Sequence, residues 1–365
     1  MSSSNLKSHT LEELRHGIDA IDNEILRLLN ARMENVKQIG LLKQKSGTAI
    51  YRPERERAIL DRLFKNPKNE LSKEAIEAIF YEIFAISRNL EKPQKVAILG
   101  PIGTYTHQAA QSRFGAMSDY LPLATIEAVF KELENKEAKY GVVPIENNTE
   151  GAVNVTLDCL KKYESVKIVA EIYMDIHHSF ASRCEKLSEI TKIYSHPQAY
   201  AQCRKFIESH GLGEVEFVPT KSTAQAAKLA SADECAAAIC SKIAAHISGV
   251  PIMFETIEDN NANRTRFFVL SDFKNAKSGS DKTSILARAE HRPGGLFTLL
   301  SLFKNADINI TKLESRPIKQ KDFRSMFYID FEGHIDDEKV KKVIDEATAN
   351  GHEIRWLGSY INQEG

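Results

Sequence analysis

Apolar residues recur every three or four positions from Leu14 through Ile18, Ile21, Ile25 and Leu28 to Ile39 and Leu42. This spacing predicts one long helix, capped by Thr10 and running to about Lys45, where Ser46-Gly47 ends it. At 1.5 Å per residue such a helix is roughly 50 Å long. The two helices predicted after it, over about 53–65 and 71–91, are too short to cover it. A sustained stripe of this kind needs a partner helix, so the expectation is a homodimer, or a higher homo-oligomer, packed through long helices from two chains. One position breaks the stripe. Counting on from Leu28, residue 32 falls on it, and that residue is Arg32.

Pro93 ends the helical pattern. From KVAILG (95–100) the chain alternates β-branched runs with helical segments through YGVVPI, VKIVAEIY, KIYSH, EVEFV, AAAIC and TRFFVL. This is α/β texture. KNAKSGSDK (274–282) reads as a linker. The remainder reads strand, helix, strand, strand, helix, strand, which is the ferredoxin-like α+β order. Three domains are therefore expected: an all-helical one over 1–92, an α/β one over 95–273 and an α+β one over 283–362.

Composition narrows the class. A chain of 365 residues is long enough for two or three cores. Its net charge of -1 offers no field to gather nucleic acid or an anionic membrane. No apolar run approaches the roughly 18 residues of a membrane span. The first ten residues, MSSSNLKSHT, lack the apolar core of a secretion signal. The five cysteines form no C-x-x-C pair, so neither a disulfide framework nor a metal site is expected, and a reducing cytoplasm is the natural home.

Chemistry in the helical block starts from Arg32. Lys43 lies 11 residues on, within about 20° of the same helix face. Arg15 lies 17 residues before, about 100° around, and joins them only from an antiparallel second chain. Arg52, Arg55 and Glu56 follow in YRPERE, and Ser87 and Glu91 share one face of the third helix. The local acids are too few for these cations, and desolvated cations need anions. LEELRHGIDAIDNEILRLLNARMENVKQIGLLK, YRPERERAIL and IFYEIFAISRNLE together resemble the all-helical chorismate mutases. The resemblance implies a Claisen rearrangement of chorismate to prephenate, with no cofactor. It implies that Arg15 from a partner chain and Arg32 bind the two substrate carboxylates. Lys43 and Glu91 would meet the ether oxygen, Glu56 a substrate hydroxyl, and Arg55 and Ser87 would complete the site. Arg52 stands where an acidic residue is common. A Glu donates a hydrogen bond only when protonated, so Glu91 implies a mutase whose activity falls as pH rises.

In the α/β block, GPIGTYTHQAA places Gly100, Gly103, Thr104 and Thr106 at a strand-to-helix turn, an anion-binding geometry that is not a Walker loop. VPIENNTEG, SHPQ, STAQAA and RTRF put polar residues at strand ends, where small-molecule sites form. Taken singly, Glu146 to Thr149 read as a turn, and His177, His178 and His196 as structural histidines. Taken together, these motifs resemble prephenate dehydratase across 95–272. The resemblance implies two α/β lobes around a cleft, as in periplasmic binding proteins, and loss of CO2 and the ring hydroxyl to give phenylpyruvate. It makes Thr265 the donor to the leaving hydroxyl and Arg266 a carboxylate binder, with Thr104, Tyr105, Asn147, Ser195, Gln202, Ser222 and Thr223 lining the cleft.

RPGGLFTLLSLF and LESRPIKQKDFRSMFYIDFEG resemble the ACT regulatory domain. This implies a phenylalanine site formed by Gly294, Gly295, Glu314, Ser315, Arg316 and Pro317, with phenylalanine as feedback inhibitor. In this domain order the chain is similar to the bifunctional chorismate mutase/prephenate dehydratases of phenylalanine biosynthesis. The other reading is a ligand-binding regulator with a helical dimerisation module and no chemistry, since fold alone does not imply function. Arg32, Lys43 and Thr265 separate the two, because a binder could pair its cations with acids and would not need Thr265.

Overall fold

The computed structural model describes residues 10–46, 51–67, 69–91, 93–317 and 325–363, with the backbone alone at 44–46 and 317. Helix α1 (Leu11–Ser46) opens on a capping box. Glu13 N donates to Thr10 Oγ1 at 3.2 Å, and Thr10 N donates back to the Glu13 carboxylate at 2.9 Å. Helix α2 (Pro53–Phe64) starts on proline, and α3 (Lys73–Glu91) begins two residues later than the pattern suggests because Ser72 caps it. α1 packs on α3 along Leu29, Arg32, Met33, Val36, Gly40 and Lys43. A Cβ on Gly40 would lie 3.1 Å from the Glu91 Cα, so the absent side chain sets how closely the helices approach. The stripe that periodicity picked out is a different face. Leu14, Ile18, Ile21, Ile25, Leu28, Ile39 and Leu42 are all exposed.

The α/β block has two lobes. The first holds β1 (Lys95–Leu99), α4 (Tyr105–Phe114), β2 (Asp119–Leu123), α5 (Ile126–Glu134), β3 (Tyr140–Asn147), β4 (Gly151–Ala152), α6 (Asn154–Lys162) and β5 (Lys167–Asp175). The chain then crosses into the second lobe. That lobe comprises β6 (Ser179–Ser182), β7 (Lys192–Ser195), α7 (Pro197–Ala201), α8 (Arg204–Ser209), β8 (Glu216–Pro219), α9 (Thr223–Ala230), β9 (Ala236–Cys240), α10 (Lys242–Ser248) and β10 (Ile252–Phe254). It returns through β11 (Arg264–Ser271), which inserts antiparallel between β3 and β5. The sheets run β2-β1-β3-β11-β5, with β4 on β3, and β10-β6-β9-β7-β8. Two crossovers, near 176–178 and 255–263, therefore join the lobes, and a cleft lies between them.

The C-terminal block holds β12 (Asp281–Arg288), α11 (Gly295–Asn305), β13 (Ile310–Pro317), β14 (Ser325–Glu332), α12 (Glu338–Ala349) and β15 (Glu353–Ile361), in the sheet order β13-β14-β12-β15. The expected βαββαβ order is the observed one. The blocks are packed, not strung. Arg88 of α3 is buried over the Tyr51 and Phe114 rings and donates to the Arg113 carbonyl. At the other junction β15 lies on β5, and a Cβ on Gly358 would sit 2.1 Å from the Ile168 carbonyl oxygen. Among the described residues no helix is long and apolar enough to cross a membrane.

Candidate active sites

On the helical block the inward stripe of α1 meets the last turn of α3. Arg32 Nη1 donates to Ser87 Oγ at 2.5 Å, and Lys43 Nζ to Glu91 Oε2 at 2.8 Å. Burial pulls the Arg32 guanidinium down from its ordinary value, with Glu56 and Glu91 opposing. Glu56, on α2, is ion-paired to buried Arg88 through Oε1, while its Oε2 is buried with no hydrogen-bond partner among the described residues. The fold thus gathers Arg32, Lys43, Glu56, Ser87 and Glu91. It leaves Arg55 exposed on α2 and Arg15 exposed on α1, the latter roughly 26 Å along the helix from Arg32. Arg52 pairs with Glu54 at 2.7 Å.

The second site is a cavity of about 280 Å³ between the lobes. Thr104, Tyr105, Asn147, Gln202, Ser222, Thr223 and Thr265 all line it. Their placement is local in origin. Thr104 and Ser222 are N-caps, accepting from His107 N and Gln225 N, so α4 and α9 aim their N-termini at the cavity. Asn147 Oδ1 accepts from the backbone of Thr149 at 2.9 Å and of Glu150 at 3.2 Å. An oxygen held by two N–H groups forces the amide nitrogen outward. It donates to Thr265 Oγ1 at 2.7 Å and to Asn263 at 2.8 Å. Thr265 is therefore an acceptor toward Asn147, and its own proton is directed elsewhere.

Two expectations are corrected. Arg266 does not reach the cleft. Successive residues on a strand face opposite ways, so Thr265 points into the cavity and Arg266 points out, to Glu171 and Asp330. Ser195 is fully buried at the end of β7, below the cavity wall, donating to the His196 carbonyl at 3.1 Å.

Other lining residues had no role in the sequence reading. Asn263 stands two before Thr265, so strand parity alone would have found it. His178 read as structural, yet it joins the lobes. Its Nε2 meets Gln202 Oε1 at 2.9 Å, and its Nδ1 meets the Tyr105 hydroxyl at 2.7 Å. Burial lowers the His178 pKa, with Gln202 and Glu258 opposing, and burial raises Tyr105 well above its ordinary value, so imidazole and phenol are both neutral, and the phenol donates to the His177 carbonyl at 2.9 Å. Among the described residues no Lys, Arg, Asp or Glu lines the cavity.

In the C-terminal block Gly294 takes φ +78 at the start of α11, and Gly295 has no room for a Cβ, which would lie 2.1 Å from the Glu290 carbonyl oxygen. Glu314, Ser315 and Arg316 lie on the edge strand β13, parallel to β12, so they end at the same rim of the sheet as Gly294. Arg316 pairs with Asp158 of α6 at 3.0 Å. The Pro317 side chain lies outside the described residues.

Family models match in the same order: chorismate mutase type II over residues 14–92, prephenate dehydratase over 96–275 and the ACT domain over 283–348. The bifunctional chorismate mutase/prephenate dehydratase of Aquifex aeolicus (strain VF5) is 42% identical over 354 residues, covering 96% of this chain and 97% of the relative. That of Escherichia coli (strain K12) is 30% identical over 373 residues, covering 96% of each. The solved prephenate dehydratase of Arthrobacter aurescens in complex with L-Phe aligns with a TM-score of 0.67 at 32% identity, over 74% of this chain and 90% of that one.

A helical mutase domain, a two-lobed dehydratase domain and an ACT fold on one chain define a bifunctional enzyme with a regulatory module. The chain belongs to the bifunctional chorismate mutase/prephenate dehydratase family.

Proposed function

We propose that the two reactions run at the two sites described, with the domains divided at 1–92, 95–273 and 283–362. At the first, Arg32 and Arg15 of a second copy hold the chorismate carboxylates. Lys43 and Glu91 stabilise charge on the ether oxygen as its C–O bond breaks and the new C–C bond forms. The Oε2 of Glu56, without a partner among the described residues, accepts from the substrate hydroxyl. The exposed stripe of α1 supports a homodimer, because it brings a second antiparallel α1, and so a second Arg15, within reach.

At the second site prephenate loses its ring carboxylate as CO2. The electrons of that C–C bond aromatise the ring, and the hydroxyl leaves with a proton as water. The observation that carries this reading is the Thr265 hydroxyl, which accepts from Asn147 and so presents its hydrogen to the leaving group. With Arg266 turned away, the N-termini of α4 and α9 are the features suited to the pyruvyl carboxylate. A cavity without side-chain cations does not over-stabilise the carboxylate that must leave.

Phenylalanine is the proposed effector, bound at the rim of Gly294, Gly295 and Glu314 to Pro317. The L-Phe complex of the Arthrobacter aurescens relative supports it. The position of β13 at the end of its sheet and exposed Phe297 suit a site shared by two such blocks. A cytoplasmic enzyme without a cofactor is expected. The test supplies chorismate and follows prephenate and phenylpyruvate with and without phenylalanine. Failure to form either product sinks the catalytic reading and leaves a ligand-binding regulator.

A further inference from the structure

β11 has two faces with two kinds of side chain. One carries Thr265 into the cleft. The other carries Arg266 into a buried seam against the C-terminal sheet. Arg266 Nε donates to Glu171 Oε2 at 2.9 Å, Nη1 to Asp330 Oδ2 at 2.6 Å and Nη2 to the Tyr360 hydroxyl at 3.0 Å. Lys282 donates to the same Glu171 at 3.1 Å, and Ser284 donates to Asp330 at 2.6 Å. One guanidinium thus ties β11 to β5, β14 and β15. Arg266 is 4% exposed, Lys282 1%, and Glu171 and Asp330 0%.

Among the described residues the charges balance, two cations to two carboxylates. Nearer solvent the seam continues one for one, with Lys312 on Glu146 and Arg264 on Asp175. The adjoining cavity of about 310 Å³ is therefore not a trap for an anion, since each cation beside it already has an acid. It does leave the seam space for a second arrangement. Burial works against the Arg266 charge, and Asp330, Tyr360, Tyr328 and Glu171 outweigh it, holding the guanidinium protonated. Buried ion networks add little net stability over apolar packing. Their distinctive property is to admit one geometry and penalise others.

We propose that Arg266 is a positioning residue that couples the C-terminal sheet to the dehydratase cleft, setting β11, and with it Thr265, according to the state of the regulatory block. This rests on the phenylalanine reading for its effector. A shift of β14 or β15 moves Asp330 or Tyr360. Three donors in a rigid fork cannot follow one acceptor without disturbing the others, so the shift reaches β11. There the neighbouring residue is Thr265, held 2.7 Å from Asn147.

The test uses the full-length enzyme and two variants. Arg266→Lys keeps the charge but cannot span three acceptors. Tyr360→Phe removes one hydroxyl and no charge. In Arg266→Lys, half-inhibition of the dehydratase by phenylalanine moves up about tenfold, and in Tyr360→Phe about threefold. Phenylalanine binding by equilibrium dialysis and mutase turnover stay within about twofold of wild type. A merely structural role would move binding, inhibition and both activities together. Inhibition unchanged in both variants overturns the proposal.

A second readout needs no phenylalanine. Trp356, the one tryptophan, sits in β15 with Lys167 over its ring at 5.2 Å, at the same junction. Because coupling is reciprocal, phenylpyruvate titrated into the cleft should change Trp356 fluorescence in wild type and do so less in both variants. A response absent in wild type, or equal in all three, overturns the coupling. Loss of the phenylalanine effect alone, with this response intact, overturns only the effector assignment.

Discussion

The two active sites solve opposite electrostatic problems. The proposed mutase pocket is ringed by ions, with Arg32, Lys43, Glu56 and Glu91 drawn together on three helices. The proposed dehydratase cavity has, among the described residues, no side chain of fixed charge in its lining. A rearrangement that keeps both carboxylates can clamp them. A decarboxylation must not, because any group that holds the departing carboxylate also raises the barrier to its loss. The sites differ in completeness as well. One chain closes the cleft between its own lobes, whereas Arg15 lies exposed, roughly 26 Å along α1 from Arg32, so the proposed mutase site draws it from a second copy.

Thr265→Ala sharpens this contrast most. Removing one preorganised donor costs about 10²–10³ in dehydratase turnover, with mutase turnover unchanged in a coupled assay. Loss of both activities would point to misfolding. Next comes the double variant Ile18→Asp, Ile25→Asp on the exposed face of α1. It should shift the enzyme to monomer by light scattering and lower mutase kcat/KM about a hundredfold through loss of Arg15. Dehydratase activity should hold, and a variant that dissociates yet keeps full mutase activity would remove Arg15 from the site.

Glu91→Gln probes protonation. Glu91 accepts from Lys43 at 2.8 Å, whereas a donor to the ether oxygen must be protonated, as the sequence reading requires. Gln donates at every pH, so the variant's profile should be flat. An equal loss across the range would end the idea. Salt has the smallest effect: between about 0.05 and 0.5 M, KM for chorismate should rise a few-fold and KM for prephenate by less than twofold. Equal slopes would mean the cleft is charged after all.

Much of this was readable from the residues. The three blocks, the long helix and its unpaired stripe follow from periodicity and from Pro93. The pairing of Arg32 with Lys43 follows from eleven residues at 100° each. The failures are as physical. RTRF does not act as a unit, because strand alternation sends Arg266 away from Thr265 and admits Asn263 instead. Ser195 carries the right chemistry at the right strand end, but β7 buries it. His178 gave no signal, because its role depends on Tyr105 and Gln202 meeting it from two lobes, which no local spacing encodes. Nor could spacing show that Arg88 would occupy one oxygen of Glu56.

The contact of Gly358 with the Ile168 carbonyl has one more consequence. β5 is the last strand of its sheet, and an open strand edge is a template on which other chains add. Here β15 lies across that edge, and Asn275 donates to the Val169 carbonyl beside it. The regulatory block is thus also a cover against aggregation. A chain cut after residue 273 to free the dehydratase from feedback would lose its solubility along with its inhibition, and engineering for overproduction is better directed at the rim of β13 than at the linker.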